Sequence, residues 1–552
     1  MSTEVELFEF QDIPSRPSIR GYVGTDGAAK ISAGGVDMPT FATDSAGNVT
    51  GLVVPGGRVI SLGSPQNTVI AFGDSMTHRI NGISTITSLS RSGGVATATA
   101  AAHGLGSGQI TDINPCQDST YNVRDVAVTY LTANSFSFPC AGADGSTAAV
   151  ATKGMLATNR SVFSDNAYWV WLNSLLGGSL HLVRNSGVSS NTSVDMLARY
   201  EADVLDYDSA WVFFQIPLYN DAVNAGLTAA QTIANCQTML NAFLGAGRKV
   251  LLIGPTSITT GNTAARVEIY LTVNKWAKEQ AQTRGNVYFA DTFYYSCNPI
   301  AATKGSPRTS YLAPDGIHES PLGARAAKAQ ACYDAIGTLI PRIQNLTTSN
   351  ADNYGTSSTN ANIWDFAPWT NTGGTINAVS GSGNTTGSTA IPAGLQVDST
   401  LSGAGGTAVY STVTGTDGAG YALKCVFTPS AANDYIRCKA VTAVTSSRFT
   451  AGQKLIPKFR VKLTNVSGSG LKGINATVVF AGTVANTGYA ISSYGSSNAD
   501  SGLTDGTHTV VGPEITVPSD GITSVDFRVQ VLAAAAGTAV TIEIERMSLD
   551  RV

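Results

Sequence analysis

Charge is what this chain has least of. Lys, Arg, Asp and Glu make up 13% of the 552 residues, about half the usual quarter. The net charge is −4 and no long basic run occurs, which argues against a nucleic-acid partner. No apolar stretch reaches the roughly 18 residues of a membrane span, so no membrane insertion is expected. The first residues, MSTEVELFEF, are acidic and lack a basic segment followed by an apolar one, so no signal peptide is expected. A protein of this kind acting outside a cell leaves by another route. The seven Cys are scattered, with no CxxC and no Cys/His spacing of a zinc site. Neither a metal nor a cofactor is expected. Cys116 with Cys140, and Cys425 with Cys438, are candidate cross-strand neighbours, and the sequence leaves their disulfide state open. Only five His occur, at 78, 103, 181, 318 and 508. In place of charge the chain has 58 Gly and a 43% hydrophobic share, which excludes disorder and suits β-rich domains with many tight turns.

At roughly 150 residues per domain the length allows three or four domains. Residues 1–64 alternate short apolar pieces with turn signals such as Pro55-Gly56-Gly57 and read as β-structure or an extended arm. Residues 67–72 (Asn-Thr-Val-Ile-Ala-Phe) read as a buried strand. From 84 to 152 period-two alternation, as in Val95-Ala-Thr-Ala-Thr-Ala and Ser135-Phe-Ser-Phe, predicts a small inserted β module. Residues 153–345 alternate apolar runs (179–184, 210–216, 249–253, 286–290) with helical stripes, one on Ile233, Cys236, Leu240, Phe243 and Leu244, another on Ile269, Val273, Trp276 and Ala277. With 67–72 this predicts five parallel strands covered by helices on both faces, a unit spanning 65–345. More than half of 371–410 is Gly, Ser or Thr. Apolar alternation then resumes, so 346–552 reads as a loop-rich lead-in to a β-sandwich.

Ligands of an open parallel sheet sit beyond the carboxyl ends of its strands. The residues there are Gly73-Asp74-Ser75, Asn185-Ser186-Gly187, Leu218-Tyr219-Asn220-Asp221 and, before the last helix, Asp315-Gly316-Ile317-His318. A serine hydroxyl needs a base to become a nucleophile. His318 is the candidate base and Asp315 the group that orients it. The N–H groups of Ser75 and Gly187 and the amide of Asn220 are candidate oxyanion donors. Asp74 and Asp221 read as turn and cap residues, His78 as a rim residue, and Asp291 as a cap that could also meet substrate. Trp364, Trp369, Tyr421, Tyr435, Tyr489 and Tyr494 could stack on sugars, but core packing explains each of them better.

At these residues the chain resembles the SGNH (GDSL) hydrolase family: Gly73-Asp74-Ser75 matches its first block, Gly187 its second, Asn220 its third, and Asp315 with His318 its fifth. The resemblance covers roughly 65–83 and 153–345. It implies a flavodoxin-like α/β three-layer sandwich and esterase, lipase or carbohydrate deacetylase activity without a cofactor. Leu218 stands where the third block normally has Gly, so a narrower site or a shifted Asn220 loop is expected. The inserted module and the N- and C-terminal regions are similar in texture to bacteriophage tailspikes and tail fibres, and the last strand looks like that of a jelly-roll carbohydrate-binding module. Together these imply a serine esterase of a virion tail that removes O-acetyl groups from a bacterial capsule or O-antigen. It would act as a homotrimer, with other tail proteins as further partners. A secreted bacterial carbohydrate esterase with a binding module, and a non-catalytic glycan-binding adhesin, are the alternatives.

Overall fold

The run Thr68–Gly73 (β1) is apolar on both sides because it is covered on both sides. In the computed structural model it pairs with His181–Gly187 (β2) and Trp211–Gln215 (β3), and Lys249–Ile253 (β4) and Val287–Ala290 (β5) extend the sheet. The order is β2-β1-β3-β4-β5, with every pair parallel, the doubly wound arrangement of flavodoxin-like folds. The structure describes residues 67–78, 83–113, 116, 118–148, 155–159, 167–341, 369, 372–376, 390–416, 420–443, 448–482, 486–492, 503–518 and 522–551, with the backbone alone of strands in 5–61 and of a few others.

Alternate side chains of β1 supply two cores. Ile70 and Phe72 join Val212, Phe214, Val250 and Leu252 on one face. Val69 and Ala71 join Trp211, Phe213, Leu251 and Ile253 on the other. Tyr168–Leu175 (α2) and a closing helical run over 321–336, whose middle, Ala324–Ala329, is π-helical, cover this second face. The first face is covered by Ala229–Gly245 (α3) and Ala264–Thr283 (α4), through Cys236, Leu240, Phe243, Val273 and Trp276. Helix α3 begins at Thr228, whose hydroxyl accepts from Gln231 N–H while Gln231 reaches back, a capping box.

The inserted module runs from Ile83 to Asn159 rather than from 84 to 152, because Met155–Asn159 pairs with Ile83–Ile86 and closes it. It has one five-stranded and one four-stranded sheet around Leu89, Ala96, Ala98, Tyr121, Phe136 and Phe138. From Thr375 onward two six-stranded sheets enclose one core that includes Phe427, Phe459, Phe480, Phe527 and Ile542. Trp369 lies buried in it and Tyr421 packs on it, so neither is a stacking platform; Trp364 and Tyr494 lie outside the described residues. Cys425 and Cys438 are not cross-strand neighbours: their strands, Tyr421–Thr428 and Tyr435–Ala443, belong to different sheets, and both thiols are free and buried. Cys116 and Cys140 are free as well.

Candidate active site

Strand β1 ends at Gly73 because the chain turns sharply there. A Cβ on Gly73 would lie 2.4 Å from Thr77 Oγ1 and 2.7 Å from Gln215 Cβ. Asp74 caps the short helix Ser75–His78 (α1), its Oδ1 accepting from Met76 N–H at 2.9 Å, so Ser75 emerges as the first helical residue at the carboxyl edge of the sheet. Its Oγ lies 2.8 Å from His318 Nε2. His318 Nδ1 lies 2.6 Å from Asp315 Oδ2. The other oxygen of Asp315 accepts from the N–H groups of Ile317 and His318, both at 2.9 Å, which folds Asp-x-x-His into one turn. Burial pushes the Asp315 carboxyl up, but the His318 ring and those two N–H groups outweigh it and hold it below its ordinary value. The turn needs Gly316 at φ +68, and the Gly316 carbonyl accepts from Thr259 and Thr260 N–H. Below it, Glu319 and Lys328 form an ion pair at 2.9 Å with both side chains 1% exposed, and Thr256 Oγ1 donates to Glu319 at 2.6 Å.

The structure thus brings Ser75, His318 and Asp315 into one hydrogen-bonded chain. The expected oxyanion donors stand differently. Ser75 N–H has no acceptor among the described residues. Gly187 is corrected: its N–H is spent on Asn185 Oδ1 at 3.0 Å. Gly is needed there for close approach, since a Cβ would lie 2.3 Å from His78 N. After β2 the chain makes a turn over 188–191, with Ser190 at φ +65. The N–H groups of Ser189 and Ser190 find no acceptor among the described residues, and a Ser-Ser-Asn turn directly after a strand was the sequence signal for them. Asn220 is buried beside Asp74, and its Nδ2 donates to Asp74 Oδ2 at 3.1 Å and to Asn191 O at 3.0 Å. Both amide hydrogens are therefore engaged, and Asn220 can meet an oxyanion only by exchanging one of them. Asp74 is pushed up to about 6 by burial, against which Lys328 and the Met76 N–H act.

Other expected side chains sort by contact. Leu218 turns into the core with Ile70 and Phe72 instead of narrowing the site. Asp221 accepts from Ser193 N–H and Thr232 Oγ1, both at 2.7 Å, as a cap. Asp291 caps the helix Thr292–Ser296 through Tyr294 N–H. His78 is buried rather than on a rim, with Nδ1 3.3 Å from Ser189 Oγ. Among the described residues no three His, Cys, Asp or Glu gather as a metal ion requires.

Residues 146–326 match the model of the GDSL-like lipase/acylhydrolase family. The match holds Gly187, Asn220, Asp315 and His318 and leaves out Ser75, from which the inserted module separates them. No curated protein matches the chain. Among solved structures it is similar to a lipase/acylhydrolase from Enterococcus faecalis, at 15% identity over 50% of this chain and 99% of that one, TM-score 0.29. It is similar to a catalytic mutant of an acetylxylan esterase from Geobacillus stearothermophilus, at 16% identity over 50% and 96%, TM-score 0.29. A carbohydrate-binding module of the β-sandwich superfamily is similar at 16% identity over 28% and 56%, TM-score 0.21. Likenesses of this size carry no argument about substrate.

Proposed function

We propose that this chain, whose residues 146–326 match the model of the GDSL-like lipase/acylhydrolase family, is a serine esterase that removes acetyl groups from a bacterial surface polysaccharide. The hydrogen-bonded chain Ser75–His318–Asp315 carries the reading. Ser75 Oγ attacks the ester carbonyl carbon and His318 Nε2 takes its proton. The sugar oxygen leaves with that proton, and an acetyl-Ser75 remains. Water, deprotonated by His318, then attacks the acetyl carbon; acetate departs and Ser75 regains its hydrogen. Asp315, held anionic, fixes the imidazole tautomer. The negative oxygen is met by Ser75 N–H, by the 188–191 turn and by Asn220 once it releases Asn191.

Access favours an ester that projects from a polymer. The His318 and Asp315 side chains are 24% and 45% exposed, so the reacting bond is met at the surface and not in a tunnel. The segment 308–320 that carries Asp315 and His318 also forms, through Arg308 and Tyr311, a wall of a cleft of about 820 Å³. Tyr294 and Tyr295 line it beside Lys278, and Tyr294 is 74% exposed. Exposed rings beside cations suit sugar stacking, and this cleft is the proposed seat of the glycan. The homotrimer and the virion tail belong to the same proposal, on the texture of the inserted and terminal β regions.

Acetate release from a panel of capsular and O-antigen polysaccharides tests it. The wild type should release acetate from at least one and Ser75→Ala from none. Tyr294→Ala should raise KM for that polymer several-fold and leave a small aryl acetate unaffected. Release by Ser75→Ala would remove the serine mechanism; no release from any acetylated polymer would remove the substrate reading.

A further inference from the structure

The inserted module meets the α/β unit through charge. Asp112, Arg124 and Asp125, on its strands Ile110–Ile113 and Val123–Ala127, face Arg184, Arg199 and Asp203. Among the described residues the network joins three cations and three anions. Asp125 accepts from Arg184 and from the Tyr207 hydroxyl. Arg184, its side chain 2% exposed, reaches Asp112 at 3.5 Å and Asp203 at 3.6 Å and stacks 4.6 Å over the Tyr207 ring. Asp203 is shared: Oδ1 takes Arg124 of the module, and Oδ2 takes Arg199.

Arg199 is where this network reaches the catalytic centre. Its Nη2 donates to Gly73 O at 2.7 Å, its Nη1 to Ser186 O at 2.8 Å and its Nε to Asn191 Oδ1 at 2.6 Å. Its guanidinium lies 4.7 Å over the Phe72 ring. These acceptors are the end of β1, the end of β2 and the turn after it. Gly73 precedes Asp74 and Ser75, and Asn191 holds Asn220 through its carbonyl. A planar guanidinium with all three nitrogens engaged cannot tilt without dragging one of them.

From this geometry we infer that the inserted module is a positioning element of the active site, acting through Arg124 on Asp203 and through Arg199 on the strand ends and turn that frame the oxyanion. With Arg124 in place the Asp203 carboxylate is held by three guanidinium groups, Arg124 and Arg184 at Oδ1 and Arg199 at Oδ2. Without it the Asp203 carboxylate can draw toward Arg184, 3.6 Å from Oδ1, and loosen its hold on Arg199, leaving that guanidinium to Gly73, Ser186 and Asn191 alone. Excising the whole module is harsher, because it leaves buried Arg184 without Asp112 and Asp125. The module is therefore not the detachable passenger that an insertion after the first strand suggests.

The inference rests on the esterase reading for one readout only. With a small aryl acetate, Arg124→Ala should lower kcat about tenfold or more with little change in KM, since misplaced groups cost turnover. Arg124→Lys should recover part of the loss. Leu131→Ser, at an exposed site elsewhere on the module, should behave as wild type. Independently of activity, amide hydrogen exchange over 187–192 should quicken in Arg124→Ala and not in Leu131→Ser. Should Arg124→Ala fail to fold, Arg124→Lys carries the same comparisons. Wild-type kcat together with unchanged exchange in the folded variant would overturn the inference. If the wild type hydrolyses no ester, the esterase reading has failed, and exchange alone decides: faster exchange upholds the positioning role, and unchanged exchange overturns it.

Discussion

Asp74 shows how one buried carboxyl can serve both folding and chemistry. One oxygen caps α1 and the other holds the Asn220 amide. Burial raises it from 3.8 to about 6, so the native state binds this proton more tightly than the unfolded chain does. Between those two values the native state carries more protons, and linkage makes Asp74's contribution to stability fall as pH rises through about 3.8 to 6. Asp74→Asn should remove that component, so melting temperatures measured from pH 4 to 7 should slope differently from wild type in that window. The Asn amide would also confront Asn220 Nδ2 donor to donor, and kcat should drop. An unchanged slope would show that Asp74 does not titrate there. Ser75, Asp315 and His318 were legible in the sequence because each lies in a short segment at a strand or helix end. The oxyanion donors were legible only in part: Ser75 and Asn220 were named, but that the Gly187 N–H is taken by Asn185 Oδ1 depends on local packing that no motif shows. Leu218 misled for the same reason: its direction is set by the core beneath it. Arg199 gave no local sign, since Gly73 and Arg124 lie far from it in sequence.

At the level of elements, β2 passes so close to α1 that its last residue has no room for a side chain. A Cβ at Gly187 would meet His78 N and Cα at 2.3 and 2.6 Å, and these are backbone atoms that cannot turn aside. Gly187→Ala should therefore cost on the order of 1–3 kcal/mol, seen as a lower melting temperature, and should slow ester hydrolysis by displacing the 188–191 turn. A variant as stable and active as wild type would mean that β2 and α1 sit further apart. The parallel strands were readable because strands covered on both faces leave continuous apolar runs, and α3 because its stripe keeps helical spacing. The strands Leu395–Thr400, Thr407–Thr414 and Tyr435–Ala443 went unread. Val409 is exposed in the second of them, and the buried positions of the second and third include Ala408, Cys438 and Ala440, so the apolar alternation is blurred. The strand that closes the inserted module, Met155–Asn159, was missed because its partners, Ile83–Ile86 and Ile110–Ile113, lie far from it in sequence.

Across the whole molecule, the C-terminal sheets do not hang free. Trp171 of α2 meets His508 edge to face, with centroids 6.4 Å apart, and Arg325 lies 5.9 Å over the same indole. A cavity of about 200 Å³ lies at this junction, lined from one side by Val69, Trp169 and His181 and from the other by Ile456, Lys458 and Glu514. With 13% charged residues, the chain has little charge to keep broad surfaces apart, and repeated copies would give avidity for a repeating polymer. Light scattering of the full chain should give a mass near three times 57.0 kDa. A mass near that of one chain would remove the trimer and leave the esterase chemistry in place.

The central claim is that Ser75 is a nucleophile activated by His318. Treating the folded protein with a fluorophosphonate and locating the adduct by peptide mass spectrometry tests it most directly. The account predicts one adduct per chain, on Ser75, absent from Ser75→Ala and strongly slowed in His318→Ala. Labelling at another serine, or undiminished labelling in either variant, would contradict it.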